Sequence, residues 1–230
     1  MGSEMCIRDR IYNTATGFTA DTFEQVTAAD PTQIIAVNQA VDARTKESLE
    51  EIAPTTVKPN GYEDWQVPWE KQVETIADAV GKEDEGDKLI DDTERAFEEF
   101  RHEHAELQDK SAAIVMPYDG KIGLYTEEDG RGQFIEDLGM KIPDALQGNG
   151  GSFFVDIAPE NYAKLNQVDY LFVLDYNGSS DALKKDKTFQ GLDIVKDGRV
   201  RYLDTDTGNA MSMPNPVTIP WAVDKFEEKL

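Results

Sequence analysis

Six aromatic side chains and one arginine stand where a ligand cleft could use them. Tyr62, Trp65, Trp69, Tyr118, Tyr125 and Tyr176 fall on or beside the ends of short apolar runs, where loops leave strands. Their faces offer large, rigid contact areas with a polar edge. Arg131 lies in Asp129-Gly-Arg-Gly-Gln-Phe-Ile-Glu-Asp-Leu-Gly139, just ahead of a helical pattern. There a guanidinium can meet a cluster of anionic oxygens through parallel hydrogen bonds. Each of these residues has a plain alternative: the aromatics as packing within their own lobe, Arg131 as a partner of the neighbouring acids.

No enzyme constellation accompanies them, and no catalytic or metal-ligating residue is expected. Gly148-Asn-Gly-Gly-Ser152 lacks the Lys and the following Ser or Thr of a phosphate loop, so it reads as a plain loop. Neither a Gly-x-Ser-x-Gly elbow nor a zinc-protease histidine motif occurs. Glu127 and Glu128, in a chain with 46 acids, read as surface. His102 and His104 are two apart, which on a helix puts them on different faces, so they read as structural or surface residues rather than a metal pair.

The composition narrows the classes further. The chain has 230 residues, with 23 Lys and Arg against 46 Asp and Glu, a formal charge of −23. Such a field repels phosphate and argues against nucleic acid and anionic lipid as partners. No stretch approaches the roughly 18–20 apolar residues that a membrane helix needs. A single cysteine, Cys6, makes no disulfide framework and no Cys-based zinc site. The first ten residues, Met1–Arg10, show no periodicity and no apolar run before a small-residue cleavage site, so they read as a non-native leader rather than a signal peptide.

The elements that must position the candidates follow from periodicity. Residues 21–30 and 42–52 read as helices, and 33–37 and 53–57 as strands, an α-β-α-β alternation that points to a parallel sheet. Residues 69–109 carry helical spacing interrupted at Gly81, with an acidic outer face, and read as one long linking helix. Strands are then expected at 112–116, 122–125, 153–155 and 170–174, and helices at 134–138, 158–165 and 181–187. Residues 194–203 read as strand, Asp-Gly turn, strand, and a last helix over 218–226 places Trp221 and Val223 in the core. The expected fold class is α/β: a partial αβ lobe over 11–68, the linking helix over 69–109, and a second αβ lobe over 110–230. Ligands of bilobal proteins sit between lobes, at the carboxyl ends of strands.

With these segments in place, the chain resembles the iron–siderophore substrate-binding proteins of ABC importers, the type whose lobes are joined by one long helix. The features that carry the resemblance are Trp65-Gln-Val-Pro-Trp69 leading into Thr75-Ile-Ala-Asp-Ala-Val-Gly-Lys-Glu-Asp-Glu85, and the Asp129–Gly139 segment. Two helix–strand units, Thr22–Ala36 and Ala158–Val173, add to it. The first pair is similar to actinobacterial members in particular, and the resemblance covers about residues 20–230.

The resemblance implies a ferric siderophore as transported ligand, held between the lobes, with Trp65, Trp69, Tyr118 and Arg131 on loops that line the cleft. Tyr125 and Tyr176 join them as ligand-binding candidates from their places beside strand ends. The protein would add no iron ligand, because the siderophore fills the metal's shell with hard oxygens. Glu24 and Glu160, one in each helix–strand unit, would dock on an ABC permease, whose ATPase subunits drive release. An extracytoplasmic monomer is implied, periplasmic or a surface lipoprotein. The family's opening strand and loop and its lipobox cysteine are not found, and Met1–Arg10 stands in their place, so the N-terminal lobe is expected to be incomplete. Within the same fold, haem, cobalamin or another metal chelate is an alternative ligand. An enzyme using cleft carboxylates and a non-transport interaction domain are rivals from other classes.

Overall fold

A computed structural model describes residues 17–148 and 151–230. The leader Met1–Arg10 with Cys6, and Asn149 and Gly150 of the glycine-rich loop, lie outside the described residues. Chain contacts divide the protein into two units, 1–64 and 65–230.

The first unit holds the α-β-α-β alternation. Helix α1 (Ala20–Ala29) starts on a capping box in which the Thr19 and Thr22 side chains each meet the other's backbone N–H. It stops at Asp30, whose φ of 50° turns the chain just before Pro31. Strand β1 (Ile34–Ala36), helix α2 (Ala43–Glu50) and strand β2 (Thr55–Val57) follow. Asp42 caps α2 by accepting from the Thr45 N–H at 2.7 Å. The strands pair in parallel, Ile34 with Thr55 and Ala36 with Val57, as a crossover helix requires.

The second unit opens with two helices where one was expected. Helix α3 (Trp69–Val80) ends at Gly81, whose φ of 67° puts it in the left-handed region. The Lys82 N–H then bonds to the Ala77 carbonyl and the Gly81 N–H to that of Asp78, a Schellman ending. Helix α4 (Glu83–Glu103) packs back on α3 so closely that a Cβ on Gly86 would lie 2.5 Å from that of Ala77. The glycine that merely interrupts the sequence pattern therefore ends the helix. Both helices bury side chains in the second unit's core, where Trp69, Phe97 and Phe100 meet Phe134, Phe172 and Phe226.

Five strands form the sheet of this unit: β3 (Ala112–Tyr118), β4 (Lys121–Tyr125), β5 (Phe154–Ile157), β6 (Tyr170–Asp175) and β7 (Val200–Asp204), in the order β5-β4-β3-β6-β7. Strands β3, β6 and β7 run parallel, whereas β4 and β5 are antiparallel additions on one edge. Asp119 and Gly120, both at positive φ, make the two-residue turn from β3 to β4. Strands β3 and β6 are buried on both faces, which explains their continuous apolar runs.

Helices α5 (Gly130–Asp137), α6 (Ser180–Lys185), α7 (Lys187–Gln190), α8 (Asp193–Lys196), α9 (Thr205–Ser212) and α10 (Thr218–Glu227) complete the unit. The helix expected over 158–165 is a 3-10 helix, Pro159–Gln167, with Ala158 as its extended N-cap. The strand–turn–strand expected over 194–203 is instead α8 followed by β7. The Ile194 N–H donates to Asn166 Oδ1, and Gly198, at φ 69°, turns the chain into the single strand. Trp221 is 40% exposed rather than core: the buried stripe of α10 is Ile219, Ala222, Val223 and Phe226, and Trp221 falls outside that spacing.

Candidate functional site

Arg131 is held by the glycines on either side of it. A Cβ on Gly132 would lie 1.9 Å from the Thr126 carbonyl oxygen, and one on Gly130 2.9 Å from Pro214 Cδ. Only glycine lets the first turn of α5 press against the end of β4 and the loop after α9. Asp129 caps the helix by accepting from the Arg131 N–H at 2.9 Å. Its carboxylate also takes the arginine head: Arg131 Nη1 is 2.9 Å from Oδ1 and 3.0 Å from Oδ2. Arg131 Nη2 donates to Ser212 Oγ at 2.7 Å and lies 3.5 Å from the Tyr176 hydroxyl.

Both ends of this pair are withdrawn from water, the side chains being 12% and 13% exposed. Burial pushes the Asp129 carboxyl up, against the pull of Arg131. Burial also opposes the guanidinium charge, but Asp129 and the phenols of Tyr125 and Tyr176 outweigh it and hold Arg131 protonated. The guanidinium sits over the Tyr125 ring, 4.1 Å from its centroid. Burial raises the Tyr125 phenol to about 12, so it stays a neutral hydroxyl.

From Tyr125 an aromatic row runs along the same sheet face. Phe154 stands 5.2 Å from Tyr125, edge to face, and 5.5 Å from Tyr118. At the end of the row, the Tyr118 hydroxyl donates to Asp156, whose other oxygen is 2.6 Å from Lys121 Nζ. Lys121 and Tyr118 hold the Asp156 carboxyl below its usual range. The structure thus brings Tyr118, Tyr125, Arg131 and Tyr176 into one neighbourhood on the β3–β4–β6 sheet.

The tryptophans separate. Trp65 is 40% exposed and takes φ 68°, an uncommon conformation for a bulky residue. Trp69 is 1% exposed and belongs to the core of the second unit, so its ring presents no face to a ligand. Its place on the first turn of α3 turns it inward, because that helix buries Trp69 and Ala77 against α4 and the sheet.

The family model described as periplasmic binding protein matches residues 13–207. This chain belongs to the periplasmic binding protein family. Among solved structures, the iron uptake ABC transporter substrate-binding protein PiaA from Streptococcus pneumoniae TIGR4 is 25% identical, with a TM-score of 0.78 over 94% of this chain and 75% of that one. PiaA in complex with ferrichrome matches at 25% identity and a TM-score of 0.79, over 94% and 73% of the two chains. SirA from Staphylococcus aureus, 21% identical, shares the fold with a TM-score of 0.70 over 91% and 79%. No curated protein sequence matches.

In this periplasmic binding protein, Glu24 lies on α1 and Glu160 on the 3-10 helix after β5, and both are exposed. Among the described residues neither forms an ion pair. No group of three or more His, Cys, Asp or Glu side chains among them is placed to hold a metal ion, and no helix is long and apolar enough to cross a membrane. His104 stacks on Phe100 and meets Glu227 at 3.0 Å.

Three contributors escape a reading of the sequence, Phe154, Asp156 and Ser212, while the Asp129 pairing follows the alternative given above, Arg131 as a partner of the neighbouring acids. The one local signal is Gly123 within an otherwise apolar strand, which marks a place where another group approaches the backbone.

Proposed function

We propose that this solute-binding protein captures a ferric siderophore and delivers it to an ABC permease outside the cytoplasm. The observation that carries this reading is the row Tyr118–Phe154–Tyr125, ending on the Arg131–Asp129 pair at one sheet face. A chelated iron complex brings its own oxygen shell and needs stacking and shape from the protein, which such a row supplies. The ferrichrome complex of PiaA, a relative at 25% identity, supports the same ligand class.

In this reading residues 11–68 belong to one lobe, 69–109 link it to the other, and 110–230 form the second. Trp65, Tyr118, Arg131, Tyr125 and Tyr176 line or back the ligand wall. Glu24 and Glu160 orient the loaded monomer on basic residues of the permease, where exposed carboxylates give electrostatic complementarity. The protein works in the periplasm or at the cell surface as a lipoprotein.

Intrinsic tryptophan fluorescence, titrated with ferrichrome, iron-free desferriferrichrome and haem, tests the reading. Saturable quenching by the ferric complex, with little response to the other two, is the expected result. Saturation by haem alone overturns it, as does no saturation by any of the three or by a ferric tricatecholate while the circular dichroism is that of a folded chain.

A further inference from the structure

The two cations at the aromatic row are already matched inside the chain. Arg131 gives one nitrogen to both Asp129 oxygens at 2.9 and 3.0 Å, and the other to Ser212 and Tyr176. Its remaining donor, Nε, is buried without a hydrogen-bond partner, where an incoming ligand cannot touch it. Lys121, the cation at the far end of the row, is tied to Asp156 at 2.6 Å. Neither is poised to take an incoming anionic oxygen with a free fork, although the residue types alone would suit that task.

Resting on the siderophore reading above, we infer that the cargo is a ferric complex without net negative charge, of the trishydroxamate kind, and that Asp129 and Asp156 set this preference by neutralising Arg131 and Lys121. Iron(III) held by three hydroxamates is uncharged, whereas three catecholates leave a trianion. A trianion on this face loses hydration and gains no unmatched cation in return. It also approaches a chain whose net charge is −23. The uncharged complex has no such penalty, and the row of rings accepts its organic shell. Selectivity then arises from what the face withholds, not from an added contact.

The experiment compares ferrichrome with the iron(III) complex of enterobactin, a tricatecholate, by fluorescence quenching and by equilibrium dialysis of radiolabelled iron. The native chain is expected to bind ferrichrome about tenfold or more tighter, a difference of about 1.4 kcal/mol or greater. Asp129→Asn frees the Arg131 charge and should narrow that ratio by about tenfold, chiefly through tighter binding of the trianion. Asp156→Asn, at an exposed pair where the fold is not at risk, should narrow it in the same direction through Lys121 and decides the matter if Asp129→Asn fails to fold.

Equal or tighter binding of the tricatecholate by the native chain overturns the inference and leaves the siderophore reading standing. An unchanged ratio in both variants overturns the role given to the carboxylates. Binding of neither complex overturns the siderophore reading and this inference with it.

Discussion

The Phe154 ring lies across the backbone of Gly123: a Cβ there would come within 1.7 Å of the ring's Cζ. Gly123 pairs with Asp156 in the β4–β5 ladder, so Phe154 leans over its neighbour's partner rather than standing beside it. That lean closes the row between Tyr118 and Tyr125. Gly123→Ala must displace the ring, at a cost of about 1–3 kcal/mol for an overpacked site. Urea unfolding should show the loss, and ferrichrome affinity should fall further than the stability change explains at temperatures where the variant is folded.

Asp137, on α5, makes stability depend on pH. Burial, reinforced by Glu70 and Glu94, raises its carboxyl from an ordinary 3.8 to about 7, against weaker help from Trp69 and Arg101. Between those values the native state keeps a proton that the unfolded chain has released. The stability from this group is therefore full below 3.8 and declines as the pH rises through about 7. Asp137→Asn should raise the urea midpoint at pH 8 and change it little at pH 4, which flattens the profile measured across that range.

Trp65 and Trp69 share a motif and differ in fate. Trp69→Ala removes a core ring and should cost about 3–5 kcal/mol in chemical denaturation. Trp65→Ala removes an exposed one and should leave the denaturation midpoint within about 0.5 kcal/mol of the native chain. The ligand-dependent fluorescence change should weaken in Trp65→Ala. Its survival at full amplitude would assign the signal to another tryptophan.

Glu24→Ala combined with Glu160→Ala should leave ferric-siderophore affinity unchanged within error and abolish uptake in cells that carry the cognate permease. Uptake at the native rate would remove both glutamates from the docking role. Because each side chain is exposed on a helix surface, the double variant should fold as the parent does.

Much of the framework was legible because it rests on local rules. The strands β3 and β6 announce themselves as apolar runs, and α2 begins where Asp42 opens the helical pattern, whereas α1 is capped by Thr19, two residues ahead of the expected start at Asp21. The errors have local causes as well. Gly81 sits within continuous helical spacing, and periodicity alone does not distinguish a tolerated glycine from a Schellman ending; the deciding fact is the approach of Gly86 to Ala77. Residues 194–198 open on two β-branched residues and close on an Asp-Gly turn pair, like the end of a strand, yet the Asn166 side chain takes the Ile194 N–H and holds it in a helical turn.

The site was legible only in part. Tyr118, Tyr125, Arg131 and Tyr176 do meet, and the order of loops after strands is enough to suggest that. Sequence order does not say whether Arg131 faces a ligand or a neighbour, and Asp129, two residues away, answers it with both oxygens. Phe154 and Ser212 reach the cluster through strand pairing and tertiary contact, which no spacing along the chain encodes. Trp69 misled because an aromatic after a proline reads alike whether the helix it opens turns the ring outward or inward.

The two units are unequally furnished. Among the described residues both large apolar clusters fall within 65–230, whereas the first unit buries Val26, Ala36, Val37, Leu49 and Ala53 around a two-stranded sheet. A pair of strands with so small a core is marginal by itself. Heating should therefore not melt this protein in one cooperative step. Amides of β1 and β2 should exchange with solvent through an opening far cheaper than global unfolding, while those of β3 and β6 wait for the whole second unit to come apart.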